Sequence, residues 1–350
     1  MNLSALTAPQ LDPTALFEIY RGNYGTELLT AAVAHFQVFG HLAHGPLSFD
    51  ELRGRLGLAE RPAVVLLTAL RAFGLLITDG PGRLALSELA REHLLPDTPF
   101  DVSDYVGLSA DSPGVLALVE RLRTNRPAGS KPEESGAAFI YREGIESAME
   151  HEDPARRLTL ALAGRARNVA PILEARVPLA DAGLLLDVGG GTGIYSIACL
   201  QKKPQLRAIV WDRPEVLKVA AEMAAAYGVA DRLQCLPGDM FADPVPPGAD
   251  AILLSNVLHD WDVPQCRELI GRCAAALPAG GRLLIHDVFL NDALDGPLPL
   301  ALYSAALFCL TEGRAYSAAE YREWMTAAGL TPGGILPTLI HCGVLTGIKG

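Results

Sequence analysis

Four stretches in the C-terminal half carry residue types that could do chemistry. The first is Leu184-Leu185-Leu186-Asp187-Val188-Gly189-Gly190-Gly191-Thr192-Gly193, an apolar run ending in an acid and a glycine-rich turn. Such glycines reach backbone conformations closed to other residues and let a ligand come close. The spacing is D-x-G-x-G-x-G; the dinucleotide fingerprint G-x-G-x-x-G would need glycine where Ile194 stands. Asp212 ends the next apolar run, Val210-Trp211-Asp212, where a carboxylate can accept both hydroxyls of a ribose. Gly238-Asp239-Met240-Phe241 comes third, with a carboxylate for an adenine amino group and a thioether or aromatic ring to flank the base. The fourth is Ser255-Asn256-Val257-Leu258-His259-Asp260-Trp261-Asp262. A neutral imidazole at His259 can take a proton from a phenol or similar hydroxyl. Singly, these acids could be solvated loop residues or helix caps, and a lone histidine is usually structural. Their order behind successive apolar runs is what points to a site.

The elements that must position them read as alternating strands and helices. Strands are expected at 184–188, 206–211, 232–236, 250–255 and 281–289, with a final pair within 333–349. Helices between them start near Gly193, Pro214, Val263 and Ser317. That alternation means βαβ units and a mainly parallel sheet. Ligands of such sheets bind at the carboxyl ends of the strands, so His259 is expected to point into a crevice there.

The first hundred residues read as short helices. Apolar residues recur at helical spacing from Thr14 to Phe39, and Ser48-Phe49-Asp50-Glu51 is a capping box for a helix over 48–56. A helix over 61–73 follows, with Pro62 in its first turn. Leu75–Thr78, a turn through Gly80 and Gly82, and Arg83–Leu86 then form a hairpin. Helix, helix, hairpin is the winged-helix order. Turn-rich segments at 111–114 and 125–136 mark loops, and helical patterning returns from Gly144 to Val177.

Composition limits the partners. Forty acids against 29 bases leave a net charge of −11, and residues 1–100 hold seven Arg, no Lys and ten acids. Phosphate backbones need a basic face, so nucleic acid is not expected as a partner. The six cysteines (Cys199, Cys235, Cys266, Cys273, Cys309 and Cys342) form no C-x-x-C pair and read as small buried hydrophobes of a reducing compartment. The N-terminus lacks a basic stretch leading into a long apolar run, and no apolar run reaches the ~20 residues of a membrane span. The expectation is a soluble, cytoplasmic protein that does not enter a membrane.

DVGGGTG, VWDRPEVL, GDMF and LHDWD, in that order and at these separations, resemble the S-adenosylmethionine-dependent O-methyltransferases of the acetylserotonin and caffeate type. Thr311-Glu312-Gly313-Arg314-Ala315-Tyr316-Ser317, followed by Glu320 and Trp324, resembles their bacterial small-molecule branch. The resemblance implies an α/β fold: a class I methyltransferase domain with a Rossmann-like seven-stranded sheet, and an N-terminal, all-helical or winged-helix-like dimerisation domain. The implied divisions are 1–105 for dimerisation, 106–178 for a helical linker and pocket region, and 179–350 for the cofactor domain. It implies S-adenosyl-L-methionine as cofactor, S-adenosyl-L-homocysteine as product, a small-molecule acceptor, a homodimer through the N-terminal domain, and no metal.

Carried over by position, the resemblance places Asp187, Gly189, Gly190, Gly191 and Gly193 around the methionine moiety. It places Asp212 on the ribose and Asp239, Met240 and Phe241 around the adenine. Ser255 stands where many relatives carry Lys or Arg beside the adenine. His259 is implied as general base, with Asp287, 28 residues on, orienting it, and Glu312 as a second supporting acid; Ala315 stands where plant members carry Glu. Phe139, Met149 and Phe308 are candidate pocket walls, each with buried core as the competing reading. The resemblance leaves open C-methylation or a non-methylating reaction in the same cofactor site. A winged-helix regulator that senses the cofactor is disfavoured by the acidic N-terminal region.

Overall fold

The computed structural model describes residues 3–96, 98–126 and 152–350. The chain divides into two compact units, one of Glu18–Ala138 with Leu290–Ser317, the other of Met1–Phe17, Phe139–Phe289 and Ala318–Gly350. The boundaries expected above, 1–105, 106–178 and 179–350, follow the chain contiguously; the compact units do not. Two segments cross over. Helix Leu298–Leu310 is apolar on every side and belongs with the helical unit, where it packs against helix Glu60–Ala72. The first residues belong with the sheet unit, where Leu6 enters the core and the Leu3 amide donates to the Ala226 carbonyl at 2.7 Å.

In the helical unit the capping box forms as the sequence implies. The Ser48 hydroxyl accepts from the Glu51 amide at 3.2 Å, and the Ser48 amide donates to the Glu51 carboxylate at 2.7 Å. Helix Phe49–Leu56 follows, then Glu60–Ala72, then strands Leu76–Thr78 and Arg83–Leu86, joined to the short strand Leu47–Ser48 in a three-stranded sheet. This is the winged-helix arrangement. Its second helix is not presented to a partner: Arg61 to Leu70 are all buried. The continuous helical spacing of 14–39 is broken. Helices Thr14–Arg21, Gly25–Thr30 and Val38–Leu42 replace it, with a π-helical turn over Ala31–His35 and Gln37 in a left-handed conformation. Gly22 and Gly25 weaken helix propensity at the first break, and the packing of Leu28, Val38, Phe39 and Leu42 into the core selects the rest.

Among the described residues, the main path of the eight-stranded sheet runs through seven strands: β1 (Leu184–Val188), β2 (Arg207–Asp212), β3 (Leu233–Pro237), β4 (Ala251–Ser255), β5 (Arg282–Leu290), β6 (Leu330–Pro337) and β7 (Cys342–Lys349). Their order is β6-β7-β5-β4-β1-β2-β3, parallel from β5 to β3, with β6 and β7 antiparallel at one edge. The edge pair starts three residues before the expected window. From β1 the chain winds outward through β2 and β3, and β4 returns to the other side of β1. That reversal opens a crevice at the carboxyl ends of β1 and β4. Leu185, Val210, Leu253 and Leu284 fill the core between the sheet and its helices. Helix Glu152–Arg176 packs on helices Ile194–Lys202 and Pro214–Ala226.

Candidate active site

The crevice is shaped first by the turn after β1. Gly189, Gly191 and Gly193 have φ of 64°, 59° and 68°. At Gly190 the reason for glycine is space: a Cβ would lie 2.6 Å from the Asp187 carboxyl carbon. Asp187 itself is wholly buried beneath the turn, where the Ser196 hydroxyl donates to its Oδ2 at 2.7 Å. Burial pushes this carboxyl up to about 7. Asp187 therefore holds the turn from below, and its side chain does not face the crevice. Above Gly191 nothing lies within 4 Å of where a Cβ would be, which leaves its upper side open.

Asp212, at the tip of β2, is half-buried and accepts from the Gly191 amide at 2.8 Å and from the Arg213 amide at 2.7 Å. A carboxylate has lone pairs beyond these two bonds, so it can still receive a pair of hydroxyls. Asp239, after β3, is exposed, and its Oδ1 accepts from the Phe241 and Ala242 amides at 2.8 and 3.2 Å. The Met240 methyl and the Val257 side chain lie over Gly189. The Phe241 ring meets Trp261 edge-on, with centroids 4.7 Å apart.

His259 sits on a 3₁₀ turn, Leu258–Asp260, directly beyond β4. Its Nδ1 donates to Asp287 Oδ1 at 2.6 Å, and Asp260 Oδ1 stands 3.6 Å from its Nε2. Asp287, on β5, is wholly buried; it also accepts from the Val288 amide at 2.8 Å and from the Tyr321 hydroxyl at 3.4 Å. Burial pulls His259 toward the neutral form, but Asp287 and Asp260 outweigh it and leave its pKa above the ordinary value. Burial raises Asp260 to about 6. Burial would also raise Asp287, yet His259 beside it leaves its carboxyl below the usual range.

A second polar group lies behind this pair. Ser255 and His286 are in register across β4 and β5, with Ser255 Oγ 2.8 Å from His286 Nδ1. His286 Nε2 reaches the Thr338 hydroxyl at 3.1 Å, and Asn256 Nδ2 donates to Ser255 Oγ at 3.1 Å. Arg165, from helix Glu152–Arg176, donates to Asn256 Oδ1 and, at 3.1 Å, to Cys342 Sγ. Burial and then Arg165 drive His286 down to about 3. Sequence reasoning missed Arg165, Asn256, Thr338 and Tyr321. Only the left-handed φ of 56° at Asn256 has a local cue, since asparagine tolerates that conformation better than most residues.

Four further candidates remain: Glu312, Phe308, Phe139 and Met149. Glu312 and Phe308 belong to the helical unit. Glu312 is buried on a loop held by Arg61, which donates to the Thr311 and Gly313 carbonyls, each at 3.1 Å. Phe308 is a correction. It has no exposed surface, lies in that unit's core and carries the Arg61 guanidinium 4.7 Å above its ring, so it is core and not a pocket wall. Phe139 and Met149 lie outside the described residues.

The chain is similar to known proteins along most of its length. A family model described as O-methyltransferase domain matches residues 151–331. The 3-hydroxy-5-methyl-1-naphthoate 3-O-methyltransferase of Streptomyces sahachiroi is 37% identical over 319 residues, covering 91% of this chain and 89% of that one. The crystal structure of an O-methyltransferase family 2 protein from Planctomyces limnophilus, in complex with apigenin, aligns with a TM-score of 0.90 at 49% identity over 100% of both chains. Human N-acetylserotonin methyltransferase, solved with S-adenosylmethionine, shares the fold at a TM-score of 0.61 and 23% identity, over 98% of this chain and 100% of that one. The turn after β1, the acids at successive strand tips and the His259–Asp287 pair thus sit in a chain that belongs to the O-methyltransferase family.

Proposed function

We propose that the protein moves the methyl group of S-adenosyl-L-methionine to a hydroxyl of a small aromatic or other secondary metabolite, releasing S-adenosyl-L-homocysteine. The observation that carries this reading is the 2.6 Å bond from His259 Nδ1 to the buried Asp287, at the tip of the strand beside the glycine turn. The residues present fit the cofactor. The upper side of Gly191 is open, Asp212 stands beside it for a ribose, and Asp239, Met240 and Phe241 follow at the next strand tip for an adenine. Ser255 and the turn 187–193 complete the proposed cofactor set.

When bound, the cofactor supplies a sulfonium methyl that is already electrophilic. What the chain must add is position and removal of a proton. Asp287 accepts the Nδ1–H of His259 and so fixes the tautomer whose Nε2 carries the lone pair. Nε2 takes the acceptor's proton as the new O–C bond forms, and Asp287 stabilises the imidazolium. Glu312, on the loop held by Arg61, is proposed as the second supporting acid. The likeness to a protein solved with apigenin and to one named for a hydroxynaphthoate supports a phenolic acceptor.

We also read the protein as a cytoplasmic homodimer that binds no nucleic acid. No helix among the described residues is long and apolar enough to cross a membrane, and the six cysteines are free. Helix Glu60–Ala72, apolar as it is, offers no surface for a dimer, because Arg61 to Leu70 are buried. Ile19, Tyr20, Tyr105 and Leu108, each more than three-quarters exposed, support the dimer instead. Light scattering giving only monomer at micromolar concentration would refute it.

The activity is tested by incubating the protein with isotopically labelled S-adenosylmethionine and a panel of hydroxylated aromatics, apigenin included. Mass spectrometry should find labelled methyl on oxygen. Label on carbon, or product formed without methyl transfer, would overturn the O-acceptor.

A further inference from the structure

The polar group behind His259 has a direction, and its direction is set at one end. An arginine only donates, so Arg165 at Asn256 Oδ1 fixes which way the Asn256 amide points. The amide nitrogen must then face Ser255 Oγ, 3.1 Å away, and the Tyr195 hydroxyl, 3.5 Å away. Ser255 Oγ, which accepts from Asn256, lies 2.8 Å from His286 Nδ1. His286 Nε2 in turn lies 3.1 Å from Thr338 Oγ1. Five side chains from four elements make one hydrogen-bonded chain, which ties helix Glu152–Arg176 to the end of β4, the middle of β5 and the loop after β6.

That chain holds what the site needs held. Ser255 and Asn256 lead into Val257, whose methyl groups lie over Gly189, and two residues later comes His259. His286 precedes Asp287. Arg165 is also the cation of the neighbourhood. Asp287 from β5 and Asp260 from its own turn stand at the two ring nitrogens of His259, with the Tyr321 hydroxyl reaching Asp287 from helix Ala318–Ala327, and the charge of Arg165 is felt at both His259 and His286. Burial is the main influence against a proton on His259, and the Arg165 charge adds to it against the two carboxylates.

We propose that Arg165 is a positioning residue of the methyl-transfer site: its guanidinium orients the Asn256–Ser255–His286–Thr338 chain that holds the cofactor-side loop, and its charge keeps His259 available as a base. This rests on the reading of His259 and of residues 187–193 given above. Arg165 touches no reacting atom; it acts through Asn256 and through its field.

Two readouts that do not use turnover separate the two parts. S-adenosylhomocysteine affinity is measured by calorimetry, and the His259 titration is followed by its imidazole carbon resonance in histidine-labelled, full-length protein. Arg165→Met should weaken affinity about tenfold, as a half-buried, charge-assisted bond is lost. It should also move the His259 titration to higher pH, because the opposing cation is gone. Arg165→Lys should bring the titration back toward wild type. Asn256→Ala breaks the chain with no change of charge, so it should weaken affinity and leave the titration in place. A folded Arg165→Met with wild-type affinity and wild-type titration overturns the proposal. If Arg165→Met does not fold, Asn256→Ala decides, and unchanged affinity overturns it. Were His259→Gln to turn over normally, the catalytic reading would fall, while these two readouts would still report on Arg165.

Discussion

Two buried histidines stand side by side in the sheet unit, His259 just beyond β4 and His286 midway along β5, and their surroundings give them opposite tasks. Burial alone would push both toward the neutral form. His259 has a carboxylate near each ring nitrogen, Asp287 at 2.6 Å and Asp260 at 3.6 Å, and ends with a raised pKa. His286 has a hydroxyl at each nitrogen and faces Arg165, and it falls to about 3. One ring is held ready to take a proton; the other is a neutral strut. The partner atoms decide which is which, since both rings are buried and both lie beyond or upon the central strands.

Asp287→Asn should break this contrast most severely. The amide no longer favours the working tautomer or the imidazolium, so kcat should fall by about 10²–10⁴, the range associated with general-base catalysis. The pH dependence has a definite sign. His259 must be neutral to act, so kcat rises with pH through its raised pKa. Losing the Asp287 charge lowers that pKa, so the acid limb of the kcat profile should move to lower pH even as the plateau drops. A limb that stays in place would mean that another group titrates.

Asp212→Ala probes the cofactor side and should leave the histidine pair alone. The Gly191 amide loses its 2.8 Å acceptor, and a ribose would lose a charged partner. S-adenosylhomocysteine affinity should weaken by about 1.5–3 kcal/mol, the worth of one bond to a charged group. Calorimetry showing unchanged binding would remove Asp212 from the site.

Tyr321→Phe should have the smallest effect. Its 3.4 Å bond to Asp287 is long, and Asp287 keeps the Val288 amide and His259. A stability loss of about 0.5–1.5 kcal/mol in a melt with denaturant is expected, with kcat changed only a few-fold. A loss of turnover as large as that of Asp287→Asn would mean that Tyr321, and not His259, is the partner that matters to this acid.

The legible part of this site is the part written in local sequence. The apolar run into Asp187 and the glycine turn, the acids behind β2 and β3, and His259 with Asp287 one strand later all follow from short patterns on a parallel sheet. Arg165 has no such pattern: it is one arginine within a 25-residue helix, and its partner Asn256 is 91 positions away. Helix Leu298–Leu310 reads as apolar, but nothing local says that its cover is helix Glu60–Ala72. Phe308 went to the core for the same reason. The break in 14–39 is set partly by core packing, which competes with helical spacing and wins. Strand periodicity and turn chemistry are local properties; the electrostatics of a histidine depend on whatever the fold brings to it.

The central claim is that His259 removes the acceptor's proton. It is tested most directly by His259→Gln, comparing kcat across acceptor phenols of graded acidity while S-adenosylhomocysteine affinity is followed in parallel. The account predicts a loss of about 10²–10⁴ for a weakly acidic hydroxyl, shrinking as the acceptor becomes acidic enough to ionise unaided, with affinity unchanged. Near-wild-type turnover of a weakly acidic acceptor by His259→Gln would contradict it.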